Sequence, residues 1–103
     1  MIQFLKKMFS NTKVDYKQIV KAGAIILDVR TPAEFSGGHI PGSLNIPLQD
    51  LNKKLSKLDK NKTIISCCAS GMRSAAARKL LLENGFVNVY NGGGWHSLSH
   101  KIK

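Results

Sequence analysis

Two spacings of apolar residues alternate along the chain, one suited to strands and the other to helices. Ile25-Ile26-Leu27-Asp28-Val29 and Thr63-Ile64-Ile65-Ser66-Cys67 are short, almost continuous apolar runs rich in β-branched residues. Such runs fit strands of a sheet that is covered on both faces. Leu44-Asn45-Ile46 and Phe86-Val87-Asn88-Val89-Tyr90 read as two further strands, and Lys13-Val14 as a short edge strand. Helical stretches lie between them. Asp15 is placed to cap a helix over Tyr16 to Ala22, which Gly23 stops. Thr31 and Glu34 form a capping box around Pro32 and open a short helix that Gly37-Gly38 ends. Leu48, Leu51, Leu55 and Leu58 recur at helical spacing and predict an amphipathic helix through Lys57, with its lysines in water. A helix rich in Ala and Leu starts near Arg73 and ends at Asn84-Gly85, and the tail after Trp95 forms a final short helix. This alternation predicts an α/β domain, with a central parallel sheet of about four to five strands and helices on both faces.

The 103 residues suffice for one domain with a modest core, expected over residues 13–103 behind an N-terminal extension at 1–12. In that extension Met1, Ile2, Phe4, Leu5, Met8 and Phe9 surround Lys6 and Lys7. Its apolar run is too short for a signal-peptide core or a membrane span, so no stable membrane insertion is expected. The net charge of +10 raises the question of nucleic acid, but 13 of the 16 basic residues are scattered lysines with no interleaved aromatic platform. A solvated lysine surface that steers small anions is the expectation, and nucleic acid is not an expected partner. Cys67 and Cys68 are adjacent and make neither a disulfide framework nor a metal-ligand pattern. A free, reactive thiol suits a reducing compartment, which predicts a cytoplasmic protein.

The candidate chemistry lies in Ile64 to Arg78, where a strand turns through small residues into a helix. A thiol at such a turn faces the free N–H groups and positive dipole end of the helix, which favour its thiolate. Arg73 adds a permanent cation that can help hold a thiolate or an oxyanion. Two registers compete. Counting from Cys67 gives Cys-x5-Arg, the spacing of cysteine-dependent phosphatases, but Ser66 and Ser70 stand where that pattern has His and Gly. Counting from Cys68 gives Cys-x-x-Gly-x-Arg-Ser, with Gly71 and Arg73 in the places a six-residue loop requires.

That shorter loop resembles the active loop of the rhodanese family of sulfurtransferases. A second motif carries the resemblance further. Leu27-Asp28-Val29-Arg30, Glu34-Phe35, Gly38-His39-Ile40-Pro41-Gly42-Ser43 and Asn45-Ile46-Pro47 follow the family's N-terminal signature almost position by position. Gly92-Gly93-Gly94-Trp95 is similar to its closing segment, without the acidic or long residue usual between glycine and Trp. The resemblance covers about residues 14 to 98 and implies one rhodanese-like domain. It implies double-displacement sulfur transfer, with Cys68 as nucleophile and the N–H groups of Ala69, Ser70, Gly71, Met72, Arg73 and Ser74 holding its persulfide. Asp28 is then an anchor near the loop, Arg30 a supporting residue within reach of Glu34, His39 a structural hydrogen bonder and Trp95 a packing residue. No metal or organic cofactor is implied. The implied partners are a small anionic sulfur donor such as thiosulfate or a persulfide and a thiol or protein acceptor, with cyanide as the assay acceptor; the oligomeric state stays open. A persulfide carrier with little turnover needs the same Cys68 and remains an alternative, as does the phosphatase register at Cys67. As a strand neighbour, Cys67 should point to the opposite face from Cys68.

Overall fold

The computed structural model describes residues 14–103. The expected N-terminal extension at 1–12 and Lys13 of the expected edge strand lie outside them, and Val14 belongs to no strand. Four strands, β1 (Ile25–Asp28), β2 (Leu44–Asn45), β3 (Ile64–Cys68) and β4 (Val89–Gly94), form one sheet in the order β2-β1-β3-β4. Every pairing is parallel. Five α-helices accompany it among the described residues: α1 (Tyr16–Lys21), α2 (Pro32–Ser36), α3 (Leu48–Leu51), α4 (Met72–Glu83) and α5 (Trp95–Lys101). The α/β architecture read from the periodicity is therefore present, with four strands.

Alternation along β3 divides the interior into two cores. Ile64 and Cys68 face one side, with Leu27, Leu51, Leu58, Ala77, Leu81, Phe86 and Val89. Ile65 and Cys67 face the other, with Ile26, Ile40 and Leu98 and the partly buried Ile19, Val20 and Trp95. Thus α3 and α4 cover one face of the sheet, and α1 and α5 cover the other. Full burial of a Leu side chain stabilises the fold by about 1.5–3 kcal/mol, and Leu27, Leu51, Leu81 and Leu98 are all fully enclosed.

The helix ends form as their residues dictate. The Asp15 side chain accepts from the N–H of Gln18, and Thr31 and Glu34 complete a reciprocal capping box. After α4 the N–H of Phe86 reaches the carbonyl of Leu81 (3.1 Å) and that of Gly85 the carbonyl of Leu82 (3.3 Å), a Schellman motif. That motif explains why the last strand starts later than expected. Phe86 is drawn into the core beside Leu81, so Phe86-Val87-Asn88 is irregular and β4 runs instead through the glycines to Gly94. The expected helix through Lys57 is also shorter. It closes after Leu51, where the N–H groups of Lys53 and Lys54 bond three residues back, and Leu55–Lys57 forms a 3-10 turn. Leu51 and Leu58 are buried and Leu48 and Leu55 pack on them, because a three-residue spacing satisfies a 3-10 turn as well as an α-helix.

Candidate active site

Cys68 ends β3 and Met72 begins α4, so Ala69-Ser70-Gly71 must turn the chain within three residues. Gly71 makes this possible with φ +106°, a left-handed conformation that costs an L side chain about 1–2 kcal/mol. The turn points backbone donors at the sulfur. The N–H of Gly71 lies 2.9 Å and that of Ser74 3.3 Å from Cys68 Sγ, and the Ser74 hydroxyl lies 3.5 Å from it. Burial alone would push this thiol up. The Ser74 hydroxyl and the N–H groups of Ser74, Gly71 and Ser70 outweigh burial, and the Cys68 pKa falls below the ordinary thiol value. Donors aimed at one sulfur beside a helix N-terminus make a nest for an anion.

Behind the loop, β4 supplies a brace that the sequence reading missed. Ser74 Oγ donates to Asn91 Oδ1 at 2.6 Å, and the same oxygen accepts from the N–H of Gly93 at 2.9 Å. A serine hydroxyl has one proton, which the Asn91 oxygen at 2.6 Å and the Gly71 carbonyl at 3.0 Å share while Cys68 is a thiol, and it must turn to serve the thiolate. No motif singles out Asn91, because its role depends on the pairing of β3 with β4. Between the pairs Ser66–Asn91 and Cys68–Gly94, β4 carries one residue more than β3. A Cβ on Gly94 would stand 2.9 Å from the carbonyl oxygen of Ala69, so glycine lets this irregular strand lie against the loop.

The two arginines of interest are placed differently from expectation. Arg73 does not turn its guanidinium to the sulfur. It grips Glu34 in a fork, Nη1 to Oε1 at 2.7 Å and Nη2 to Oε2 at 2.9 Å, both side chains about one-third exposed. Arg73 first, and then the Thr31 N–H, hold the Glu34 carboxyl at about 2. The expected side-chain pair between Arg30 and Glu34 is therefore absent. Arg30 is buried and binds the Asp28 carboxylate through Nε (2.9 Å) and Nη2 (2.7 Å). It also donates to the carbonyls of Glu34 (3.3 Å) and Gly38 (2.7 Å) and lies 4.7 Å from the Trp95 ring. Asp28 pairs with Cys67 in the sheet register and makes its contacts with Arg30, so this pair braces the segment carrying Glu34 and does not touch the Cys68 sulfur. His39 Nδ1 lies 2.7 Å from the carbonyl of Phe35 and must donate to it, a structural bond.

Cys67 is fully buried in the opposite core. Burial, and then the Asp28 charge, push its thiol up to about 12. Of the other residues named from the sequence, Ala69, Ser70 and Met72 form the rim of the Cys68 loop, and Met72 is 81% exposed. A recess of about 260 Å³ is lined by Val29, Thr31, Pro47, Leu48, Gln49 and, from the loop, Arg73. Among the described residues no three His, Cys, Asp or Glu side chains come together as a metal site would need. No described helix is long and apolar enough to cross a membrane.

Comparison with known proteins bears on what such a loop does. The chain matches the Rhodanese-like domain family over residues 5–101. It is 40% identical over 81 residues to the uncharacterized protein YqhL of Bacillus subtilis (strain 168), covering 78% of this chain and 64% of that protein. It is 36% identical over 70 residues to the thiosulfate sulfurtransferase PspE of Escherichia coli (strain K12), covering 66% of this chain and 67% of the relative. The chain thus spans about two thirds of the length of these relatives. A solved structure described as rhodanese with anions from E. coli is similar with a TM-score of 0.69 and 32% identity, over 73% of this chain and 91% of that one.

Proposed function

The chain belongs to the rhodanese-like domain family, and on that premise we propose that it is a sulfurtransferase that carries sulfane sulfur on Cys68. The observation that supports this most directly is the convergence of the Gly71 and Ser74 N–H groups and the Ser74 hydroxyl on Cys68 Sγ. They favour the thiolate, which attacks the outer sulfur of a donor. With thiosulfate, the bond between the two donor sulfurs breaks, sulfite leaves with the electron pair, and a Cys68 persulfide anion remains. An acceptor such as cyanide or a thiol then attacks the outer persulfide sulfur and restores the thiolate. The N–H groups of Met72 and Arg73, in the first turn of α4, have no carbonyl four residues back to bond within the helix, and we assign them with Ala69 to the outer sulfur. Asp28 and Arg30 act as positioning residues for α2. A reducing, cytoplasmic setting suits the thiol, and the acceptor is a small thiol or a protein.

Intact mass after incubation with thiosulfate and then cyanide tests this reading on wild type, Cys68→Ser and Cys67→Ser. Wild type and Cys67→Ser should gain one sulfur that cyanide removes, and Cys68→Ser should gain none. Absence of uptake by wild type from thiosulfate and from a persulfide donor would sink it. A phosphatase at Cys67 is disfavoured, since that thiol faces the other core and is pushed up to about 12. Met72, 81% exposed beside the nucleophile, favours a protein docking on the loop and so keeps the carrier reading. Sulfur loading without multiple turnovers to cyanide would select the carrier.

A further inference from the structure

Arg73 is the one cation of the loop from Cys68 to Ser74, and Glu34 holds it. The carboxylate meets the guanidinium through two hydrogen bonds of 2.7 and 2.9 Å. It cannot easily swing away, because Oε1 also accepts from the Thr31 N–H at 3.0 Å and the Thr31 hydroxyl at 3.1 Å. Arg30, the other guanidinium bonded to this segment, is buried and bound to Asp28 and to the Gly38 carbonyl. Each arginine therefore already has its charge offset by a carboxylate before a substrate anion arrives. The recess beside Arg73 is walled partly by Val29, Pro47 and Leu48, and Met72, the residue before Arg73, is exposed.

Donors differ in what they ask of such a site. Thiosulfate brings two negative charges to a thiolate, so three like charges meet and a free cation nearby decides how well it binds. A persulfide of an organic thiol brings at most one negative charge at the reacting sulfur, and carbon that can rest on apolar walls. We propose that Glu34 is the specificity-determining residue of this site: by clamping Arg73 it withdraws the loop's cation and turns the site from dianionic inorganic donors toward organic persulfides. The inference rests on the sulfurtransferase reading and names its donor class. In the step, Cys68 Sγ bonds to the outer sulfur of R–S–SH and the S–S bond of the donor breaks. R–S⁻ leaves with the electron pair, and the proton stays on the new Cys68 persulfide.

Glu34→Gln tests this, because Gln serves a capping box as Glu does while the negative charge is lost. Glu34→Ala, which also gives up the cap, makes the same change of charge should the Gln variant fold poorly. The donors are thiosulfate and the persulfide of 2-mercaptoethanol, generated in situ, at one fixed ionic strength. The KM for thiosulfate should fall at least five-fold in Glu34→Gln. The ratio of kcat/KM for thiosulfate to that for the organic persulfide should rise by a similar factor. Adding Arg73→Gln to Glu34→Gln should abolish the gain. An unchanged ratio, or a gain that survives the second substitution, would overturn the inference while leaving sulfur transfer intact. Sulfur uptake by wild type from neither donor, read by intact mass, would overturn sulfur transfer and this inference together.

Discussion

Cys67 and Cys68 occupy successive positions on one strand, and the face each meets separates a nucleophile from a packing residue. Cys68 is enclosed yet surrounded by donors, whereas Cys67 faces hydrocarbon and the Asp28 charge. Alkylation by iodoacetamide at pH 7 should therefore modify Cys68 and spare Cys67 in the folded protein, as peptide mapping would show. Ser74→Ala removes the hydroxyl donor and leaves the N–H groups of Ser70, Gly71 and residue 74. Loss of a hydrogen bond to a charged group costs about 1.5 kcal/mol or more, so alkylation at a pH below both pKa values should slow about ten-fold. The sign follows from what is lost: the thiolate alone is destabilised, its pKa rises, and the wild-type and variant rates converge only above both pKa values. A rate independent of Ser74 across the pH profile would contradict this account of activation.

At the scale of elements, the site is a junction of β3, α4 and α2. Gly71 sets the turn between the first two, and a side chain there meets both positive φ and a nearby Gly93 Cα at 3.5 Å from the new Cβ. Gly71→Ala should lose about 1–2 kcal/mol in urea unfolding and take up sulfur more slowly, because the N–H bonded to Sγ moves with the turn. The clasp between α2 and α4 has its own pH signature. Glu34 sits at about 2 in the folded protein against 4.5 as a free group, so its pairing stabilises the fold fully above 4.5 and is lost as pH falls toward 2. The difference in urea midpoint between wild type and Glu34→Gln should then shrink on acidification across this window. A difference that stays constant from pH 6 to pH 2 would show that the clasp does not contribute. Because both partners are about one-third exposed, solvent screens the pair and the effect is modest.

Over the whole molecule, a parallel sheet packed on both faces presents the C-terminal ends of β1 and β3 at one rim, where ligands of such sheets bind. The net charge of +10 is spread over many lysines and acts at a distance, unlike the single clasped Arg73. It should raise the encounter rate with any anionic donor. The value of kcat/KM for thiosulfate should accordingly fall several-fold as salt is raised through the range where the Debye length drops from about 10 Å toward 3 Å. The long-range field and the local clasp are separable, since salt weakens the first and Glu34→Gln changes the second.

Local chemistry is written in the chain itself. Apolar runs specify β1 and β3, Asp15 and the Thr31–Glu34 box specify where α1 and α2 begin, and Cys68, Gly71 and Arg73 stand at a readable spacing. These features depend on neighbours within a few residues, where periodicity and capping are strong guides. What the sequence left open depends on residues brought together from far apart. The partner of Arg73 is Glu34, 39 positions away, and that of Ser74 is Asn91, 17 positions away. The early end of the helix after Leu51 and the late start of β4 were likewise decided by which side chains the two cores could enclose. Short-range steric and hydrogen-bonding preferences suffice to make elements. The partners of a charged side chain are chosen only when packing removes water and leaves one carboxylate within reach.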